Sequence, residues 1–427
     1  MIEKDILRQI VRMQQEQGFS IKETVKRDLL PEILRWFDDK RILILTGLRR
    51  SGKSTLLKQI MQNKKDFCYV NFEDERFIDF EAKEFEKLNE VLMEFYGDVK
   101  TYFFDEIQII NNFESFVRRL QDEGKKIILT GSNASLLSKE FGTKLTGRYK
   151  EFEIYPFSFI EFLKFKGTNL KLNKFFSTKE KVEIKHFFQE YFNKGGMPEY
   201  LLNNDAEYIR TVYQNIIYRD VIARYSIKRQ KSLKELINIL MTNNSRTISY
   251  NSLKNILKLS NAITVKEYIS YLCNSYLFFE VPIFDFSIKR QLNSPKKIYL
   301  IDQAFHLVGG LNFSPNSGRI LENIVFIELK RKYKEVFYFH EKHECDFVIK
   351  KGTKIKEVLQ VCYDLNKNNQ EREINGIIEA MNKFNLKQGI ILTYDQDDEI
   401  EVKCKSQGDH PKGRQIIVKP VWKWLLE

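Results

Sequence analysis

The stretch ILILTGLRRSGKSTLLKQI, Ile42 to Ile60, decides the fold. An Ile- and Leu-rich run with the composition of a buried strand stops at Gly47, and a helix-like pattern starts at Lys53. Between them, Gly47, Leu48, Arg49, Arg50, Ser51, Gly52, Lys53 and Ser54 fit the phosphate-loop pattern G-x-x-x-x-G-K-[ST]. The spacing has a physical reason. Glycines let the backbone turn tightly against an anion, so that successive N–H groups point at phosphates, and the positive end of the following helix reinforces the cradle. Lys53 is expected to reach the β- and γ-phosphates of ATP and Ser54 to give its hydroxyl to Mg²⁺. Gly47, Arg50, Ser51, Gly52 and Thr55 complete the expected nucleotide-binding set.

Beyond the loop, strand-like and helix-like segments alternate: FCYVNF, EFEKLNEVLMEF, TYFFDE, FESFVRRLQDE and KKIILTGSN. Such alternation implies a parallel sheet with right-handed crossovers. The apolar strand TYFFDE, Thr101 to Glu106, ends in two carboxylates. Asp105 suits a Mg²⁺ ligand, and Glu106 suits a base that polarises water. The strand end ILTGSN, Ile128 to Asn133, offers Ser132 or Asn133 as a polar group near the γ-phosphate.

At 427 residues the chain is too long for one ordinary core, and its 43% hydrophobic and 30% charged residues are those of a soluble globular protein. No apolar run approaches the roughly 18 residues that span a bilayer. The start, MIEKDILRQIVRMQQEQ, is charged and lacks the apolar core of a signal peptide, so a cytoplasmic protein without a membrane partner is expected. Five scattered cysteines, with no C-x-x-C pair, argue against zinc and against a disulfide framework. The net charge of +12 favours an anionic partner such as nucleic acid, although the lysines are spread along the whole chain.

The motifs GLRRSGKST, FFDEIQ, LTGSN, LTGRYKEFEIYPFSFIEF and GGMPEYL, in this order, resemble the additional-strand P-loop ATPases of the AAA kind. More narrowly, they are similar to a prokaryotic AAA family with a C-terminal domain of unknown function related to restriction-type nucleases. The resemblance implies an ATP-hydrolysing enzyme. It also marks Arg148, in the Gly-Arg before YPFSFIEF, as a candidate sensor or arginine finger, and a finger acting in trans would require a homo-oligomer. Arg49 and Arg50 are alternatives for contacting phosphate or a neighbouring subunit.

The expected organisation is an N-terminal helical segment (1–40), a P-loop α/β domain (41–170), a helical lid (171–230), a winged helix-turn-helix (231–302) and a C-terminal α/β domain (303–427). The winged helix is read from three helical segments, LKELINILMTN, ISYNSLKNIL and AITVKEYISYLCNSYL, followed by strands FFEVPIFDF and KKIYLID. Asn261, Thr264, Lys266 and Glu267 are expected on its recognition helix, with Lys289, Arg290, Lys296 and Lys297 on its wing. Duplex DNA is the expected partner, and a protein partner is the alternative for such a module.

The last segment resembles the PD-(D/E)xK nuclease core, a restriction-endonuclease-like fold. That resemblance places Asp346, Gln360 and the helix acid Glu322 at a second Mg²⁺ site. Cys362 stands where the lysine belongs, and a thiol cannot replace an ammonium that stabilises developing charge. Lys356, on the same strand face as Gln360 but two pleat repeats away, and Lys330, two helical turns below Glu322, are the candidates for a relocated lysine. A degenerate domain is therefore expected. The alternatives to a DNA-associated ATPase are a metal-dependent DNA nuclease regulated by ATP and a slow nucleotide switch that docks a protein.

Overall fold

The Ile/Leu run before the loop forms β1 (Ile42–Gly47), and all six of its residues are buried. A strand buried on both faces belongs inside a sheet covered on both sides. The computed structural model describes residues 2–17, 24–132, 147–168, 176–308, 316–401 and 414–427. The chain divides into two units, Met1–Pro156 with Asn274–Tyr276, and Phe157–Cys273 with Leu277–Glu427.

In the first unit β1 joins β2 (Phe67–Asn71), β3 (Thr101–Asp105), β4 (Lys126–Gly131) and β5 (Tyr149–Ile154) in the order β2-β3-β4-β1-β5. Every neighbouring pair is parallel. Because β4 lies between β1 and β3, the loop after β1, the carboxylates after β3 and the polar end of β4 share the carboxyl edge of the sheet. Ligands gather at that edge in open α/β sheets. The N-terminal helix α1 (Lys4–Glu16) caps the edge strand, where Gln14 exchanges two hydrogen bonds with the Asn71 backbone, of 2.9 and 3.0 Å. An otherwise open sheet edge is thereby blunted.

The second unit begins with helices α2 (Phe159–Phe165) and α3 (Thr178–Lys194), each started by a reciprocal capping box, Ser158 with Glu161 and Ser177 with Glu180. Glycines Gly195 and Gly196 follow α3. Gly196 exchanges its backbone with Phe157, whose N–H donates to the Gly196 carbonyl at 2.7 Å, while its own N–H donates to Asp302 at 2.8 Å. A methyl on Gly196 would overlap the Phe157 carbonyl oxygen, which explains the glycines of GGMPEYL. Gly196→Ala is expected to destabilise this unit by about 3 kcal/mol, as overpacking against fixed backbone does, and denaturant titration reads that loss.

The middle of this unit runs α4 (Gln230–Thr242), β6 (Arg246–Ile248), α5 (Tyr250–Ile256), α6 (Ala262–Asn274), β7 (Phe278–Val281), α7 (Ile288–Asn293) and β8 (Lys296–Leu300). Its three strands form an antiparallel sheet ordered β6-β8-β7. The short strand β6 and the helix α7 were not legible as such in the sequence. After α8 (Ser317–Lys332) comes a six-stranded mixed sheet of β9 (Glu335–His340), β10 (Glu344–Lys351), β11 (Lys354–Val361), β12 (Gln388–Thr393), β13 (Asp398–Glu401) and β14 (Gln415–Pro420), in the order β13-β14-β12-β11-β10-β9. Helix α9 (Gln370–Lys383) is the crossover between the parallel strands β11 and β12. From α8 onward the expected segments coincide with the observed ones through β12, and the closing strands β13 and β14 extend the sheet further.

Candidate functional site

The carboxyl edge of the first sheet brings together most of the residues singled out around the loop. Gly52 (φ 97) and the non-glycine Arg50 (φ 66) take left-handed conformations, which turn the chain back on itself before helix Lys53–Met61 begins. Gly47 also has a positive φ, and a methyl there would overlap the Ile154 carbonyl on β5. The Lys53 ammonium, 4% exposed, lies inside the loop, donating to Leu48 O (3.0 Å), Gly47 O (3.2 Å) and Ser132 Oγ (2.9 Å). Thr55 sits on the first turn of the helix.

Ser54 Oγ donates to Asp105 Oδ1 at 3.2 Å. Hydroxyl and carboxylate oxygens are the hard donors that Mg²⁺ prefers, so this pair fits the ion. Thr130 Oγ1 also donates to Asp105, and Tyr69 donates to its other oxygen at 3.2 Å. Burial and the neighbouring Glu106 charge push the Asp105 carboxyl above its ordinary range.

Glu106 lies 3.5 Å from the Lys53 ammonium and accepts from Ser132 Oγ at 2.7 Å and from Gln108. Burial alone would raise its pKa, but the Lys53 charge and these hydrogen bonds outweigh it and hold the group below the usual carboxylate value. Glu106 also has a left-handed backbone (φ 53), of a kind that costs about 1–3 kcal/mol and is retained where surrounding structure enforces it. Its N–H donates to Thr130 Oγ1 at 2.9 Å, which fixes the turn.

Other residues fall elsewhere. Asn133 lies outside the described residues, and Ser132 supplies the polar group at the end of β4. Arg148 precedes β5, whose first residue pairs with Ile42 and whose last pairs with Gly47. It therefore stands at the amino edge of the sheet, about 16 Å of strand from the loop in the same chain, and pairs with Asp122 at 2.6 Å. A role for Arg148 at its own loop is not supported by this placement. Arg49 pairs with Glu73 at 2.9 Å. Sequence reasoning missed Arg27. Its buried guanidinium donates to Ser51 O (2.8 Å) and Tyr155 O (2.6 Å), bracing the loop from behind. These two carbonyls lie far away in sequence, so no local signal marks the contact.

The second set also converges, with an unforeseen member. Asp346 on β10, Glu322 on α8 and Gln360 on β11 are buried. Lys297, expected on a DNA-facing wing, is 1% exposed and projects into this cluster. That expectation is corrected: all five residues of β8, Lys296 included, are buried, and the strand is the middle one of its sheet. Lys356 does not supply the lysine, since it bonds Tyr333 Oη at 2.6 Å and Glu357 at 2.8 Å. Cys362 packs in the apolar core beside Ile377 and Ala380. Among the described residues no group of three or more His, Cys, Asp or Glu side chains is arranged to hold a metal ion.

Residues 39–163 match the AAA domain, and residues 185–308 match a domain of unknown function, DUF8612. Fold and match together define an AAA-type P-loop ATPase domain, followed by a helical region and a C-terminal mixed sheet that falls outside both matches. The uncharacterised protein MJ1544 of Methanocaldococcus jannaschii is 38% identical over 446 residues, covering 100% of this chain and 96% of its own length, and the chain belongs to its family. An uncharacterised protein of Haemophilus influenzae is 28% identical, over 82% of this chain and 89% of its own. Among solved structures, the Walker-type ATPase PABY2304 of Pyrococcus abyssi is similar at 15% identity and a TM-score of 0.44, covering 69% of this chain and 99% of that one. No helix among the described residues is long and apolar enough to cross a membrane.

Proposed function

We propose that the chain binds ATP with Mg²⁺ on the phosphate loop and hydrolyses it. The observation that carries this is the meeting of Lys53, Ser54, Asp105, Glu106 and Ser132 at one sheet edge, within hydrogen-bond reach of one another. Lys53 exchanges the loop carbonyls for phosphate oxygens. Ser54 and Asp105 hold Mg²⁺, which neutralises phosphate charge when bound. Glu106, kept ionised by Lys53 and Ser132, orients a water and takes its proton. Arg148 stands at the amino edge of its own sheet, so as a finger it would have to act at the site of a neighbouring copy in a homo-oligomer. Phosphate release compared between the native chain and Glu106→Gln tests the proposal.

The protein is further proposed to bind duplex DNA. The order helix, strand, helix, helix, strand, helix, strand over Gln230–Leu300 resembles that of a winged helix with a short helix, α7, set between its hairpin strands. Asn261, Lys266 and Glu267 are exposed at and along α6, and Lys289 and Arg290 are exposed on α7 between the hairpin strands. Replacing Lys266, Lys289 and Arg290 together by Ala is expected to weaken duplex binding about tenfold or more and to reduce the slope of log affinity against log salt by about 3. Fluorescence anisotropy across a salt series measures both quantities. A second reading, docking of a protein by a nucleotide switch, is favoured by Phe286, Ile288 and Leu292, which are 80%, 72% and 63% exposed around the same helix. Binding to duplex that ignores the triple substitution would move the assignment to that reading.

A further inference from the structure

Three carboxylate oxygens in the second unit converge on one nitrogen. Lys297 Nζ lies 2.7 Å from Asp346 Oδ1, 2.7 Å from Glu344 Oε1 and 3.0 Å from Glu322 Oε1. An ammonium has three N–H donors and no acceptor; it donates to Glu322 and Asp346 and pairs with Glu344 as an ion. Other polar atoms of the cluster are engaged as well. Tyr299 Oη donates to Glu322 Oε1 at 2.7 Å, and Asp346 Oδ2 accepts the Val361 N–H at 2.9 Å. Gln360 turns its carbonyl oxygen to the Asp346 N–H (3.1 Å) and its amide nitrogen to Glu373 (2.6 Å).

Mg²⁺ does not fit alongside this arrangement. Its ligand oxygens lie about 2.1 Å away, so an ion bound to the same three carboxylates would occupy nearly the position of Nζ. Two cations cannot share that space. Neither does Lys297 restore the missing lysine of a cleavage site, because a lysine that assists a metal stands beside the ion and not in its place.

We infer that Lys297 is a built-in cation that takes the place of a divalent metal, closing the carboxylate cluster of the C-terminal sheet into a metal-independent brace. The brace has a mechanical consequence. Lys297 belongs to β8, the central strand of the three-stranded sheet, whereas its acceptors lie on α8 and β10. The ion pairs of buried Lys297 with buried Glu322 and Asp346, and with the half-exposed Glu344, therefore fasten the small sheet to the six-stranded sheet. Removing one partner of a buried ion cluster is strongly destabilising because the others remain charged or must take up protons.

The test uses nucleotide-free, full-length protein with Mn²⁺ as the probe, its free concentration read by electron paramagnetic resonance. The native chain and Asp346→Asn should bind the same number of Mn²⁺ ions. Lys297→Ala should melt about 10 °C lower, gain one Mn²⁺ site and recover part of the lost melting temperature when Mn²⁺ is added. Lys297→Ala combined with Asp346→Asn should lose both the new site and the recovery. A Mn²⁺ ion held by the native chain and lost in Asp346→Asn would overturn the inference, as would Asp346-dependent cleavage of DNA. So would a folded Lys297→Ala protein that gains no site. If Lys297→Ala does not accumulate, the native chain against the nearly isosteric Asp346→Asn still decides the question.

Discussion

Glu106→Gln is expected to lower ATP turnover by about 10²–10⁴-fold while leaving nucleotide bound, the range by which a positioned general base contributes. The amide keeps the shape of the side chain and can still meet Ser132, which lies 2.7 Å from the carboxylate. It cannot accept a proton from water. Affinity should hold because Lys53 retains its loop and Ser132 contacts, and because Glu106 carries like charge toward phosphate, so its neutralisation removes repulsion. Phosphate release and equilibrium binding of a fluorescent ATP analogue, measured on the same preparation, separate the two effects. Loss of binding equal to the loss of turnover would show that Glu106 holds the loop and not the water.

Lys53→Ala is expected to weaken ATP binding about a hundredfold, the order of magnitude of losing charge-assisted hydrogen bonds to phosphate. The ammonium is buried at 4% exposure, surrounded by the loop carbonyls and Ser132, so it is positioned before any ligand arrives. Removing it also takes away the cation that lies 3.5 Å from the Glu106 carboxylate. Turnover should fall with binding. Titration calorimetry with ATP and Mg²⁺ reads the affinity directly, and unchanged binding would mean that the loop does not take phosphate.

The loop and the strand end Asp105-Glu106 were legible because their chemistry is tied to local spacing: a glycine turn, a helix start, a strand end. The parallel sheet followed from alternation, and the insertion of β4 between β1 and β3 put three separated segments on one edge. Arg27 was illegible because it acts on the backbone carbonyls of Ser51 and Tyr155, which carry no side-chain signature. Lys297 was misread for a different reason. A lysine pair in a basic stretch suggests a solvated wing, and only strand order reveals that β8 is central and buried throughout. The acids it meets are contributed from 25 to 49 residues away in sequence. Glu344 and Tyr299 were missed with it, since their roles exist only through that lysine.

The most direct test of the central claim is steady-state phosphate release by the native chain under saturating ATP, with Mg²⁺ or with excess EDTA, and with or without duplex DNA. The expected result is Mg²⁺-dependent turnover that EDTA abolishes and that duplex DNA stimulates. ATP binding without phosphate release above the Glu106→Gln level, in every condition, would contradict the assignment of this site as a hydrolytic one.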